Sequence, residues 1–69
     1  MAMLKIGFNG QPREVNDSWT IADLLKDCKI ETRFCAVELN LEIVPKDQYV
    51  HQQLRDGDQV EVVTLVGGG

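Results

Sequence analysis

The most reactive group this sequence offers belongs to the backbone. The chain closes on TLVGGG, which puts the α-carboxylate on Gly69, behind Gly67 and Gly68. Glycine has no Cβ, so such a segment passes through channels too narrow for other residues and takes whatever backbone angles a channel imposes. Extended, three residues reach roughly 10 Å. The pattern points to a carboxylate on a thin flexible arm, presented to another protein's active site. The bland reading is a frayed end without function.

Side chains offer less. Cys28 and Cys35 are two thiols without a larger cysteine framework, and they read as small reduced hydrophobes. With the lone His51, itself read as a surface residue, they are too few ligands for a metal centre. The sequence has no Ser/His/Asp set and no phosphate loop. No catalytic residue is assigned, and an enzyme reading has no side chains to stand on.

Charge narrows the partners. Seven basic against eleven acidic side chains give a net charge of −4. That sign opposes nucleic acid, whose binders set Lys and Arg against phosphates, and it opposes an anionic membrane surface. It suits a basic groove on a protein. No apolar run approaches the ~20 residues of a membrane span, and no signal segment opens the chain, so a cytoplasmic location is expected.

The elements that must position the arm follow from periodicity. A chain of 69 residues is one domain with a thin core. Leu4, Ile6 and Phe8 alternate with Met3, Lys5 and Gly7, and Asn9-Gly10 supplies two positive-φ residues, so residues 3–16 predict a β-hairpin. Pro12 falls near the start of its second strand, where a missing N–H does least harm. Ile21, Leu24, Leu25 and Cys28 lie on one helical face. Thr20 is the expected N-cap, with Asp23 as a short capping-box partner and Trp19 with Leu24 as a hydrophobic staple.

Two further strands are expected around Asn40, carrying Val37 and Leu39, then Ile43 and Val44, and ending at Pro45. A short helical turn follows, with weak helical spacing through Tyr49, Val50 and Leu54. A turn centres on Gly57. The last strand sets Val60 and Val62 on one side and Glu61, Val63 and Leu65 on the other. One helix must bury its stripe against one sheet face, which gives an α+β two-layer sandwich. A β-grasp, with first and last strands parallel neighbours and the helix crossing between them, fits this order.

The hairpin FNG, the helix TIADLL, the stretch AVELNLEIVPKDQY and the ending LRDGDQVEVVTLVGGG together resemble the ThiS/MoaD family, the ubiquitin-like sulfur carriers. The resemblance runs essentially end to end. The most specific pieces are EIVPKDQY, DGDQVEVV and the terminal diglycine. Thr64-Leu65-Val66 stands where molybdopterin-synthase subunits tend to carry prolines, which favours the thiamine branch.

That resemblance implies a mixed sheet of four to five strands in a domain of residues 1–66, with 67–69 as a flexible tail. It implies that an E1-like adenylating enzyme activates Gly69 with ATP. A persulfide donor then leaves a C-terminal thiocarboxylate, which supplies the ring sulfur to thiazole synthase. No cofactor would be bound by the carrier itself.

The sheet face away from the helix is left for docking. Val63 and Leu65 are expected to meet both enzymes there, with Glu38, Asp56, Asp58 and Glu61 as an acidic rim. For the carboxylates the alternative is a solvated surface, for Asp56 and Asp58 turn chemistry, and for Leu65 core packing. Rival functions are a carrier for molybdopterin or another pathway, a ubiquitin-like protein modifier, and a β-grasp interaction module.

Overall fold

The computed structural model describes residues 2–65, so the expected tail at 67–69 and the boundary at 66 lie outside the described residues. Strand β1 (Met3–Phe8) turns through Asn9 and Gly10, with φ of 50° and 82°, into antiparallel β2 (Gln11–Asn16). Both turn residues are left-handed, as a tight hairpin turn requires. Pro12 sits opposite Gly7 on an edge strand.

Helix α1 (Ile21–Asp27) opens with the full capping box. The Thr20 N–H donates to the Asp23 carboxylate at 2.9 Å, and the Asp23 N–H donates back to the Thr20 hydroxyl at 3.4 Å. Two more N–H groups of the first turn donate to backbone carbonyls of a later segment, Ile21 to Gln52 and Ala22 to Tyr49, each at 2.9 Å. The helix start is therefore bonded to residues 49–52, and these orphan donors of its first turn are paired. At the other end Lys29 (φ 59°) takes the left-handed position. There the Lys29 N–H donates to Lys26 and the Ile30 N–H to Leu25, the two reverse bonds of a Schellman cap.

A 3₁₀ turn (Thr32–Phe34) leads into β3 (Cys35–Leu39), which pairs antiparallel with the short β4 (Glu42–Val44). A second 3₁₀ turn (Lys46–Gln48) follows Pro45, and β5 (Gln59–Thr64) closes the fold. The five strands lie in the order β2-β1-β5-β3-β4. β5 runs parallel to β1 and antiparallel to β3, so this is the mixed sheet of a β-grasp.

The core lies between α1 and one sheet face. Ile21, Leu24 and Leu25 of the helix meet Ile6, Val15, Val37, Val44, Val60 and Val62, with Cys35, Tyr49 and Leu54. Each large side chain fully buried here contributes on the order of 2 kcal/mol. Trp19 and Cys28 are half-buried against this cluster, which contains Leu24, the expected staple partner of Trp19. Val50 departs from the expected spacing. It is exposed, because the segment turns after Tyr49 instead of continuing as a helix.

Cys35 and Tyr49 are the buried titratable groups. Burial pushes the Cys35 thiol up, and the nearby Lys46 charge and a hydrogen bond with Tyr49 only partly oppose this. Burial likewise raises Tyr49, and the neighbouring Cys35 adds to the rise. An acid whose folded value is raised adds stability below its unfolded value and loses it as pH climbs through the folded value. The melting temperature should therefore fall above about pH 9, as both groups ionise more readily in the unfolded chain. Thermal melts from neutral to alkaline pH should show that fall, and Tyr49→Phe should flatten it; an equal slope in that variant rules out the tyrosine as a source.

Candidate docking face and tail exit

Alternation along the strands sorts side chains between two faces. Val60 and Val62 point into the core at 1% and 8% exposure, whereas Val63 and Leu65 stand out at 60% and 53%. Leu65 is therefore not a core residue. The register carries this outer face across the sheet, with Val63 opposite Ala36, Glu61 opposite Glu38, and Glu38 opposite Ile43. Ile43 is 77% exposed, and Leu41, at the tip of the β3–β4 hairpin, is exposed too.

The strand that leads toward the glycines is held by more than its ladders. The Asn9 side chain bonds both main-chain groups of Val62, accepting from its N–H at 2.7 Å and donating to its carbonyl at 3.2 Å. Asn40, in the other hairpin turn, accepts from the Gln59 N–H at 2.9 Å, while its own N–H donates to the Gln59 carbonyl at 2.8 Å. Two hairpin heads thus clamp β5 with asparagine amides. The last described bond runs from the Leu65 N–H to the Phe34 carbonyl at 2.6 Å.

The expected acidic rim is divided by the structure. Glu38 and Glu61 are exposed neighbours in the middle of the outer face. Asp56 and Asp58 precede β5, so Asp58 lies roughly 23 Å along an extended strand from Leu65. Their carboxylates also build turns. Asp56 accepts from the Lys5 N–H at 2.8 Å, and Asp58 accepts from the Arg55 N–H at 2.8 Å and from the Asn40 amide at 3.0 Å. Gly57 between them has φ 87° and donates to the Lys5 carbonyl. The structure thus brings Val63, Leu65, Glu38 and Glu61 onto one face and sets Asp56 and Asp58 apart from Leu65.

Sequence reasoning missed Ile43 and Leu41 as part of this face, and Asn9 and Asn40 as clamps. Asn40 was visible as a turn residue, but its second partner lies 19 positions away in sequence. Gly67, Gly68 and Gly69 lie outside the described residues. Among the described residues, His, Cys, Asp and Glu form no cluster able to hold a metal ion, and no helix is long and apolar enough to cross a membrane.

A helix-backed mixed sheet whose last strand leads to a glycine run defines a ubiquitin-like β-grasp protein of the carrier type. Comparison with known proteins agrees. The sequence model of the ThiS family matches residues 6–69. The sulfur carrier protein ThiS of Bacillus subtilis is 43% identical over 53 residues, covering 77% of this chain and 80% of that protein. A thiazole synthase of Paramagnetospirillum magneticum is 42% identical over 66 residues, covering 96% of this chain, and the chain spans 20% of the length of that enzyme. The crystal structure of the thiamine biosynthesis protein ThiS from Geobacter metallireducens superposes with a TM-score of 0.82 at 30% identity, covering 96% of this chain and 100% of that one. The chain belongs to the ThiS family of sulfur carriers.

The clamp can be tested alone. Asn9→Gly keeps a residue that tolerates positive φ but removes the amide, leaving both main-chain groups of Val62 without that partner. A loss of about 1–3 kcal/mol is expected in denaturant titrations, with faster hydrogen exchange at the Val62 amide. Wild-type stability and exchange in this variant would show that the amide is dispensable.

Proposed function

We propose that this protein carries sulfur for thiazole formation in thiamine biosynthesis, with the Gly69 carboxylate as the loading point. The observation that carries this reading is the course of β5. It is pinned along its length, presents Val63 outward with exposed Leu65 just beyond its end, and is followed in the sequence by Val66 and the glycine run. The match to the ThiS family through residue 69 supports it, as does the likeness to a segment of a thiazole synthase.

The chemistry proceeds on the partners' residues. A carboxylate is a poor electrophile, so an E1-like enzyme adenylates Gly69 with ATP and releases pyrophosphate. The terminal sulfur of a persulfide attacks the acyl carbon and AMP leaves, giving an acyl disulfide. A thiol reduces that disulfide, and the terminal thiocarboxylate is freed. Its soft sulfur then passes to thiazole synthase. The carrier contributes a rigid face to be gripped and an arm without side chains. Cys35 is poorly suited to the relay, since it is fully buried with its thiol pushed toward the protonated form.

Intact mass after incubation with the adenylating enzyme of the same organism, ATP and a persulfide donor tests the reading. Exchange of one oxygen for sulfur, lost when Gly69 is deleted, is the expected result. An unchanged mass, with the enzyme active on another carrier, would overturn it, and an isopeptide adduct on lysine would point to a protein modifier instead.

The docking face makes a separate prediction. Val63→Asp places a charge on an exposed position, so the melting temperature should hold while loading drops at least about tenfold, the scale of a lost interface anchor. Normal loading in that variant would remove Val63 from the contact.

A further inference from the structure

Glu38 and Glu61 face each other directly across β3 and β5. Directly opposed side chains on one sheet face stand about 5 Å apart at Cβ, and like charges in such pairs destabilise the sheet. Among the described residues neither carboxylate is paired with a cation; the ion pairs there are Arg13–Asp27 and Arg33–Glu31. Strand residues on this face supply one cation, Lys5, against Glu14, Glu38 and Glu61.

The pair is bordered by apolar groups that gain nothing from their present setting. Leu41 is 87% exposed and sits at φ 72°, a left-handed conformation that a leucine adopts at a cost. The equivalent place in the first hairpin is held by Gly10, which adopts it freely. Ile43 lies beside Glu38 in the register. Glu38, Glu61, Asn40, Leu41 and Gln59 line a shallow groove of about 530 Å³.

We propose that this groove docks thiazole synthase, with an arginine of that enzyme seated between Glu38 and Glu61 and flanked by Leu41 and Ile43. A guanidinium fork bonds two carboxylates at once, and apolar flanks that exclude water strengthen the contact. A second copy of this chain is a poor occupant, because it would set one acidic pair against another. The choice of thiazole synthase rests on the proposed carrier function and on a relative of that name that contains a segment 42% identical to this chain. Position agrees, since Glu61 is on the strand that carries Val63 and ends one residue before Leu65, and an enzyme receiving the tail would cover both ends of that strand's outer row.

The test is titration calorimetry of the full chain with thiazole synthase of the same organism, at low and moderate salt. Glu38→Gln/Glu61→Gln should weaken binding by about tenfold or more and flatten its salt dependence, as loss of a steering charge pair does. The melting temperature of that variant should equal or exceed the original, because the opposed charges are gone. Asp47→Asn, an exposed carboxylate off this face, should bind as the unaltered protein does. Equal affinity and salt slope in the double variant would overturn the proposal, and so would absence of binding by the unaltered protein. The intact-mass experiment separates the two readings. Thiocarboxylate formation alongside unaffected binding in the double variant sinks the groove and spares the carrier function, whereas absence of thiocarboxylate sinks the carrier function whatever the calorimetry gives.

Discussion

Everything useful in this molecule depends on how β5 is held. It is the central strand of the sheet, but its ladder to β1 reaches only Gln59 and Val60, so beyond that point one side of it needs other partners. Here β1 supplies parallel pairs at its start, β3 supplies antiparallel pairs from Val60 to Thr64, and the asparagines of both hairpins bond its backbone directly. The Asn9 amide substitutes for ladder bonds just where β1 has turned away. A residue chosen for its tolerance of positive φ thus also serves as a long-range hydrogen-bonding group, which ties the two functions of the hairpin together.

The two sheet faces divide the work. The inner face meets α1 and holds the apolar core, with the Arg13–Asp27 pair, exposed and of small energetic value, linking β2 to the helix. Among the described residues no element covers the outer face, and Val63, Leu65 and Ile43 stand in solvent there, with Leu41 at the hairpin tip. A domain this small has little apolar area to spare. Placing these apolar side chains outside is therefore costly to the fold, and the proposed docking gives them a use.

The inner half of the structure was legible because local patterns determine it. The Asn9-Gly10 turn, the Thr20 cap with Asp23, and the alternation of Val60 to Leu65 each depend on residues within a few positions of one another. The need to cover one helix implied a two-layer sandwich, and the β-grasp strand order fitted that need without being required by it. What periodicity could not supply was register. That Glu38 and Glu61 both face outward was readable, but that they oppose each other depends on pairing between strands 23 positions apart. The same reason hid the Asn9–Val62 bonds, and Lys29 concealed the helix end because lysine seldom takes a position that glycine usually fills.

The bond from Leu65 to Phe34 has a consequence for the tail's encounter statistics. It fixes an origin, and residues 66–69 span at most about 14 Å from it. An enzyme already seated on the outer face therefore meets a Gly69 carboxylate confined to a small sphere, at an effective concentration in the millimolar range or above, the regime of short tethers. Under the proposed function, a weak grip on the face would then suffice for rapid loading, and it would also let the carrier leave quickly for its next enzyme. Losing the bond from Leu65 to Phe34 would move the origin back to the last pair of the β3–β5 ladder, Cys35 with Thr64, and so enlarge the sphere and dilute the terminus.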